Sequence, residues 1–297
     1  TEQSDPCPET QPDGSPWPKI SIVTPSYNQG QFIEETIRSV LLQGYPNLEY
    51  IIIDGGSTDE SAKIIQKYGP WIDYWVSEPD DGQANAINKG LSQARGAVAA
   101  YLNSDDMYLP GALNHVGEAY ANEEFDVFVG RRKTEKAKFI DKFNPRHPRS
   151  SLLGYIRQFK PFQDPYWSPQ ANYDLSQECI LWNNKRYGGK RFNEEYKFAM
   201  DAEWFVRIFS GAKVAYSSRY IGYFRRHSGQ KTTQMGETLK EEAKKINQKY
   251  SYCKNNISSY RHLKSTLKYY LYSANFFALQ VLTGKNCVMH QKNDHYL

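Results

Sequence analysis

From Lys19 onward the chain alternates short apolar runs with amphipathic stretches. Ile20, Ile22 and Val23 form an apolar run that Thr24-Pro25-Ser26 ends, the pattern of a short buried strand. Phe32, Ile33, Thr36, Ile37, Val40 and Leu41 then recur at helical spacing, and Gly44 and Pro46 stop that helix. A second strand is predicted over 48–53 and runs into Asp54-Gly55-Gly56. Asp59 stands where it can cap a second helix that buries Ile64 and Ile65. The pattern repeats with a strand over 74–76, a helix marked by Ala84, Ile87, Leu91 and Ala94, and a strand over 97–102 followed by Asn103-Ser104-Asp105-Asp106. Alternation with short connections predicts βαβ units, hence an α/β fold whose mostly parallel, Rossmann-like sheet carries helices on both faces. Ligands of such sheets bind beyond the carboxyl ends of the strands. Residues 24–28, Asp54, Asp80 with Asp81, and Asp105 with Asp106 follow four successive strands, so topology alone brings these polar clusters to one edge.

The flanks read differently. Residues 1–18, rich in Pro, Asp, Glu and Gln, predict a flexible tail or a strap lying on the domain. From about Arg131 the alternation stops, and residues 143–174 combine many prolines and aromatics with weak periodicity. An irregular stretch of that length is usually functional or mobile. A helix is predicted over 199–209 and a strand over 214–216. Residues 237–282 are helical by pattern: Leu239, Ala243, Ile246, Leu263, Leu267, Leu271, Ala274 and Val281 keep one face, with Lys and Arg on the other. The expected division is a tail over 1–18, a main domain over 19–235 and a helical extension over 236–297.

Composition narrows the class. With 39% hydrophobic and 24% charged residues, the 297-residue chain has material for a sizeable core. A net charge of +4 gives no concentrated basic face, so nucleic acid is not an expected partner. No apolar run is long enough for a membrane-spanning helix, and no charged-then-apolar signal opens the sequence. Cys7, Cys179, Cys253 and Cys287 are scattered and form no CxxC, which argues against zinc ribbons and thioredoxin-type chemistry. The expected location is the reducing cytoplasm.

The clusters admit several chemistries. Asp105 and Asp106 at a strand end can hold a hard divalent cation, or form a turn that caps the next helix. Asp54 can accept from a nucleobase or ribose, or start the Gly-Gly turn. Neither GxGxxG nor GxxxxGK[ST] follows the first strand, which disfavours a dinucleotide-dependent dehydrogenase and a P-loop phosphotransferase. Asp201 can act as a general base or complement a helix dipole. His227 can meet a metal or phosphate, or serve structurally. Arg225 and Arg226 can neutralise a diphosphate or form a solvated pair.

The strings TPSYN (24–28), IIIDGGSTD (51–59), SEPDDGQANAINKG (77–90) and LNSDD (102–106) closely resemble inverting glycosyltransferases of family two, which have the GT-A fold. AMDAEWFVRI (199–208) and FRRHSGQKT (224–232) are similar to later motifs of that family. The resemblance covers about residues 18–232 in the family's order. It implies a nucleotide-binding half over 19–130 and an acceptor half over 131–235. Thr24, Pro25, Tyr27 and Asn28 would line the nucleotide pocket, Asp54 would hold the base, and Asp81, Gln83 and Lys89 would border the donor. In the DxD-type motif, Asn103 and Ser104 would lie against the donor, Asp105 would meet its ribose or sugar, and Asp106 would bind Mn²⁺ or Mg²⁺. Asn103 departs from the family's usual first Asp. His227 stands where some relatives place a metal or diphosphate contact, and Asp201 where the family keeps its base.

The implied activity is metal-dependent, inverting transfer of a hexosyl group from a nucleotide-sugar, expected to be a UDP-sugar, to a hydroxyl of a glycan or lipid-linked glycan acceptor in surface polysaccharide synthesis. Glu178, Trp182, Tyr166 and Trp167 are candidates for acceptor contact, or for packing their loop. The alternatives are a non-catalytic sugar-nucleotide-binding subunit of the same fold and a sugar nucleotidyltransferase. The second would want a Gly-rich basic loop at 24–28. In the C-terminal segment, Tyr269, Tyr270, Tyr272, Phe276 and Phe277 follow Arg261, Lys264 and Lys268. Such a face can lie on the inner face of an anionic membrane, pair two copies of the chain, or pack back onto the core.

Overall fold

The computed structural model describes residues 7–134, 176–230, 236–250 and 287–289. Four strands, β1 (Ile20–Ser26), β2 (Leu48–Asp54), β3 (Tyr74–Ser77) and β4 (Val98–Tyr101), are all parallel and lie side by side in the order β3-β2-β1-β4. The helices between them are α1 (Ile33–Leu41), α2 (Ser61–Tyr68) and α3 (Gln83–Gln93). Burial explains the continuous apolar runs: every residue of β1 is buried, as befits a central parallel strand covered on both faces. Gly90 lets α3 approach closely, because a Cβ there would stand 2.3 Å from Val23 Cγ1 on β1.

Beyond β4 the sheet becomes mixed. Strands β5 (Met107–Tyr108), β6 (Val127–Thr134), β7 (Ile180–Asn183) and β8 (Val214–Phe224) extend it in the order β4-β7-β6-β8-β5. Strand β7 is antiparallel to both β4 and β6, whereas β6 and β8 run parallel. Helices α4 (Ala112–Asn122), α5 (Asn184–Tyr187), α6 (Met200–Phe209) and α7 (Gly236–Tyr250) complete the described layers. The alternation pattern had left β5, α4 and β6 unassigned, and β8 is far longer than the strand expected at 214–216.

At the flanks, the described residues take one of the two forms expected for the tail and add core contacts and a strand to the C-terminal segment. The described part of the tail is a strap: Cys7 N donates to Gly44 O, Trp17 is buried, its Nε1 donates to Pro8 O at 2.8 Å, and Tyr45 OH donates to Pro18 O. Helix α7 belongs to the core, since Ala243 and Ile246 are buried and Leu239 packs against the same cluster. Residues 287–289, placed by pattern in a helical extension, form β9 (Cys287–Met289), antiparallel to β8. The irregular stretch with Tyr166 and Trp167, the basic and aromatic residues from Arg261 to Phe277, and the apolar positions from Leu263 to Val281 lie outside the described residues. No helix among the described residues is long and apolar enough to cross a membrane.

Candidate active site

Strand register builds the site. Ser26 pairs with Asp54, and Asp54 with Ser77, so the carboxyl ends of β1, β2 and β3 finish level. The chain moves from β1 to β2 and β3 on one side but sets β4 on the other, which makes the β1–β4 boundary a topological switch point. A cleft of about 690 Å³ opens there, within the usual range for small-molecule sites. Its lining includes Pro25, Tyr27, Gln83, Asn103, Ser104, Asp105, Asp106 and Asp201 from the sequence-derived set. Tyr27 is 61% exposed, and Gln83 Nε2 donates to Asn103 Oδ1 across the cleft.

Other members of that set do not line it. Thr24 is buried, with its hydroxyl 3.1 Å from Tyr50 OH. Asn28 adopts a positive φ of 52°, and its Oδ1 accepts from Thr58 N, so it shapes the rim turn. Asp54 is fully buried; its carboxylate accepts from Ser57 N, Ser57 Oγ and Ser77 Oγ, and thereby holds the Gly55-Gly56 turn. Asp81 is exposed, while its neighbour Asp80 lines the cleft and accepts from Gly82 N. Lys89 pairs with Glu78 at 3.0 Å.

The two carboxylates of the DD pair have opposite surroundings. Asp105 is partly exposed, and its Oδ2 stands 3.0 Å from His227 Nε2. The His227 ring lies 4.3 Å from that of Phe32. Asp106 is fully buried, with Oδ2 accepting from Gln177 Nε2 and Oδ1 from Arg225 N. Burial, and then the Glu178 and Asp105 carboxylates, hold the Asp106 acid well above the ordinary carboxylate range. Of the two carboxylates, Asp105 is the one that meets His227, while Asp106, which also lines the cleft, is engaged by Gln177 and the Arg225 amide. Among the described residues no group of three or more His, Cys, Asp and Glu could hold a metal ion. Two donors still fit Mn²⁺ or Mg²⁺, which commonly take one or two protein ligands and complete their shell with phosphate oxygens and water.

The acceptor expectations change too. Trp182 is 1% exposed because β7 is an internal strand; it packs edge-on to Trp204 at 5.2 Å and near Phe192. Glu178 is fully buried and accepts from Ser176 Oγ, and burial pushes its acid upward. It sits behind the cleft, close enough to raise the Asp106 acid. Arg225 is no solvated cation: it is buried, with Nη2 2.7 Å from Glu35 Oε2 and its guanidinium over the Phe32 ring. Asp201, in the first turn of α6, lines the cleft and lies near enough to help raise the Tyr101 phenol, which burial chiefly elevates.

The sequence reading missed Gln29, Gln177 and Lys197, all in the lining. Gln29 Oε1, Gln177 Oε1 and Ser26 Oγ are buried without a hydrogen-bond partner among the described residues, so they offer polar atoms to a ligand. Gln29 adjoins the TPSYN string and could have been found by proximity; Gln177 reaches the cleft only through the β7 crossover.

The open, mostly parallel α/β sheet with a carboxylate-lined cleft at its switch point has the GT-A fold. The sequence model described as Glycosyl transferase family 2 matches residues 21–184, more than half the chain, and the chain belongs to that family. It is 31% identical over 143 residues to the glycosyltransferase alr2836 of Nostoc, covering 45% of this chain and 43% of that protein. It is 43% identical over 95 residues to Bacillus subtilis TuaG, whose name assigns it to teichuronic acid biosynthesis, covering 31% of this chain and 37% of TuaG. The matched stretches thus span less than half of these relatives. The S. aureus TarS 1–349 structure in complex with UDP-GlcNAc aligns over 90% of this chain and 76% of its own, with TM-score 0.61 and 20% identity. The mannosyltransferase PcManGT from Pyrobaculum calidifontis, in complex with GDP-Man and Mn²⁺, aligns over 91% and 80%, with TM-score 0.57 and 15% identity. At these identities the likeness is one of fold.

Proposed function

We propose that this glycosyltransferase moves a hexosyl group from a UDP-sugar to a hydroxyl of a surface glycan, with inversion at the anomeric carbon and dependence on Mn²⁺ or Mg²⁺. The observation that carries the reading is that Asp201 and Asp105, the latter in contact with His227, line one switch-point cleft. A bound divalent ion would supply Lewis-acid stabilisation of the diphosphate leaving group. Asp105 and His227 would hold that ion. Tyr27, Gln83, Asn103 and Asp80 face the same cleft and would bind the donor. Asp201 would accept the acceptor proton as the new C–O bond forms opposite the breaking bond to diphosphate. One such displacement inverts configuration and needs no protein nucleophile. Uridine as the base draws on the TarS complex, and a polysaccharide acceptor draws on the name of TuaG.

A panel of UDP-, GDP- and dTDP-sugars with Mn²⁺ tests the reading, with release of nucleoside diphosphate as the readout. A UDP-sugar should turn over, and Asp201→Asn should lower turnover by about 10²–10⁴ with donor binding little changed. Normal turnover by Asp201→Asn would remove Asp201 from the chemistry. A folded protein that binds a sugar nucleotide without releasing diphosphate would instead be a binding subunit, and release of pyrophosphate from a nucleoside triphosphate and a sugar 1-phosphate would mark a nucleotidyltransferase.

A further inference from the structure

Helix α7 touches the cleft with no residue, yet it holds one wall of it. Glu242, on its second turn, is buried. Its Oε1 accepts from Lys197 N at 2.8 Å, and its Oε2 from Phe198 N at 2.9 Å and Ala199 N at 2.8 Å. These three consecutive amides lead directly into α6, whose N-cap residue, Ala199, has no side chain able to cap. A single carboxylate from another helix therefore fixes the entry to α6. Charge-assisted bonds to backbone N–H groups are among the stronger hydrogen bonds, and three on one buried group leave the loop little freedom.

A second contact lies two residues past Asp201. Glu203, also buried, accepts from Tyr250 OH at 2.5 Å, from Lys249 Nζ at 3.3 Å and from Arg207 Nε at 2.8 Å. Tyr250 and Lys249 belong to the last turn of α7. Ala243 and Ile246 supply the apolar seat between the two polar ties. Asp201 stands midway between Ala199 and Glu203, so both ties bracket it. Lys197, Phe198, Met200 and Asp201 all line the cleft.

We propose that Glu242 is a positioning residue of the transfer reaction, setting from outside the cleft where Asp201 and the wall formed by Lys197 and Phe198 stand. The proposal rests on the reading of Asp201 as the base. Glu242→Gln keeps the shape but loses the charge and turns an N–H toward other N–H groups. Displacing a catalytic group by about 1 Å can cost on the order of 100-fold. The expected result is a fall in kcat of roughly 10- to 100-fold with donor KM shifted less than about threefold.

The test is a double-mutant cycle on the full chain, using whichever sugar nucleotide of the donor panel turns over with Mn²⁺, with melting temperature and donor binding as folding controls. If Glu242 acts through Asp201, Glu242→Gln should slow the wild-type background and add little to Asp201→Asn. Independent, multiplicative losses overturn the proposal, as does a Glu242→Gln protein that turns over at the wild-type rate. Full turnover by Asp201→Asn overturns the base reading and the proposal together, and absence of turnover on every donor overturns both along with the enzyme. If Glu242→Gln does not fold, Glu242→Asp, which keeps the charge but shortens its reach to the Lys197, Phe198 and Ala199 amides, enters the same cycle, and the same outcomes decide.

Discussion

Asp105 and Asp106 are chain neighbours in opposite environments. Both line the cleft, but the turn after β4 gives one carboxylate to His227 and the other, fully buried, to Gln177 and the Arg225 amide. Sequence alone marks both as acids at a strand end and cannot tell which meets His227 and which is buried, because that depends on β8 and on the segment before β7, which arrive from far along the chain. Trp182 takes the packing alternative for a related reason. A tryptophan in a short strand looks available until antiparallel neighbours close both of its edges. Remote from the cleft, His115 gives a separate residue-scale expectation. It is buried, with Nε2 2.6 Å from Ser217 Oγ, and burial, helped by Arg219, holds its pKa down to about 4. The unfolded chain therefore takes up the proton first as pH falls below about 6.5. Stability present above that pH should be lost progressively toward pH 4, by on the order of 3 kcal/mol. Denaturant titrations of wild type and His115→Gln across this range should diverge on acidification. Parallel curves would show that His115 does not titrate as its burial requires.

Elements whose periodicity reflects burial alone were legible. Strands β1, β2 and β4 and helices α1 to α3 followed the pattern because each buries a regular face or a continuous run, whereas β3 is an edge strand whose Trp75 and Val76 are only partly buried. Asp59, one residue before the N-cap Glu60, accepts from Ser61 N at the start of α2 while also taking the Gly30 amide, so its carboxylate ties two loops together. Helix α7 was legible as a helix, and packing back onto the core was one of the readings left open for its segment. Glu242 looks like one more charge on a polar face, and only the fold turns it toward the entry of α6. The contact of α3 with β1 carries its own expectation. Gly90→Ala should force the Val23 side chain or the helix to move, destabilising the protein by about 1–3 kcal/mol. Because Gln83 at the start of the same helix lines the cleft, donor affinity should fall as well. Unchanged stability in chemical denaturation would mean that the sheet and helix can part at no cost.

At the scale of the whole molecule, a parallel half and a mixed half meet at β4 and β7, and the cleft takes residues from both. The convergence of four strand ends was foreseeable from topology. The contributions of Gln177, Lys197 and Phe224 were not, since they depend on how the second half folds back over the first. The central claim is that this cleft binds a nucleoside diphosphate through a metal held by Asp105 and His227. Calorimetric titration of the full chain with UDP, in Mn²⁺ and then in excess EDTA, tests it most directly, with Asp105→Asn as the matched variant. Binding should be strong with Mn²⁺, should weaken by at least about tenfold in EDTA, and should weaken to a similar degree in the variant even with the metal present. Binding of UDP that is equally tight with and without Mn²⁺, and unaffected by Asp105→Asn, would contradict the account.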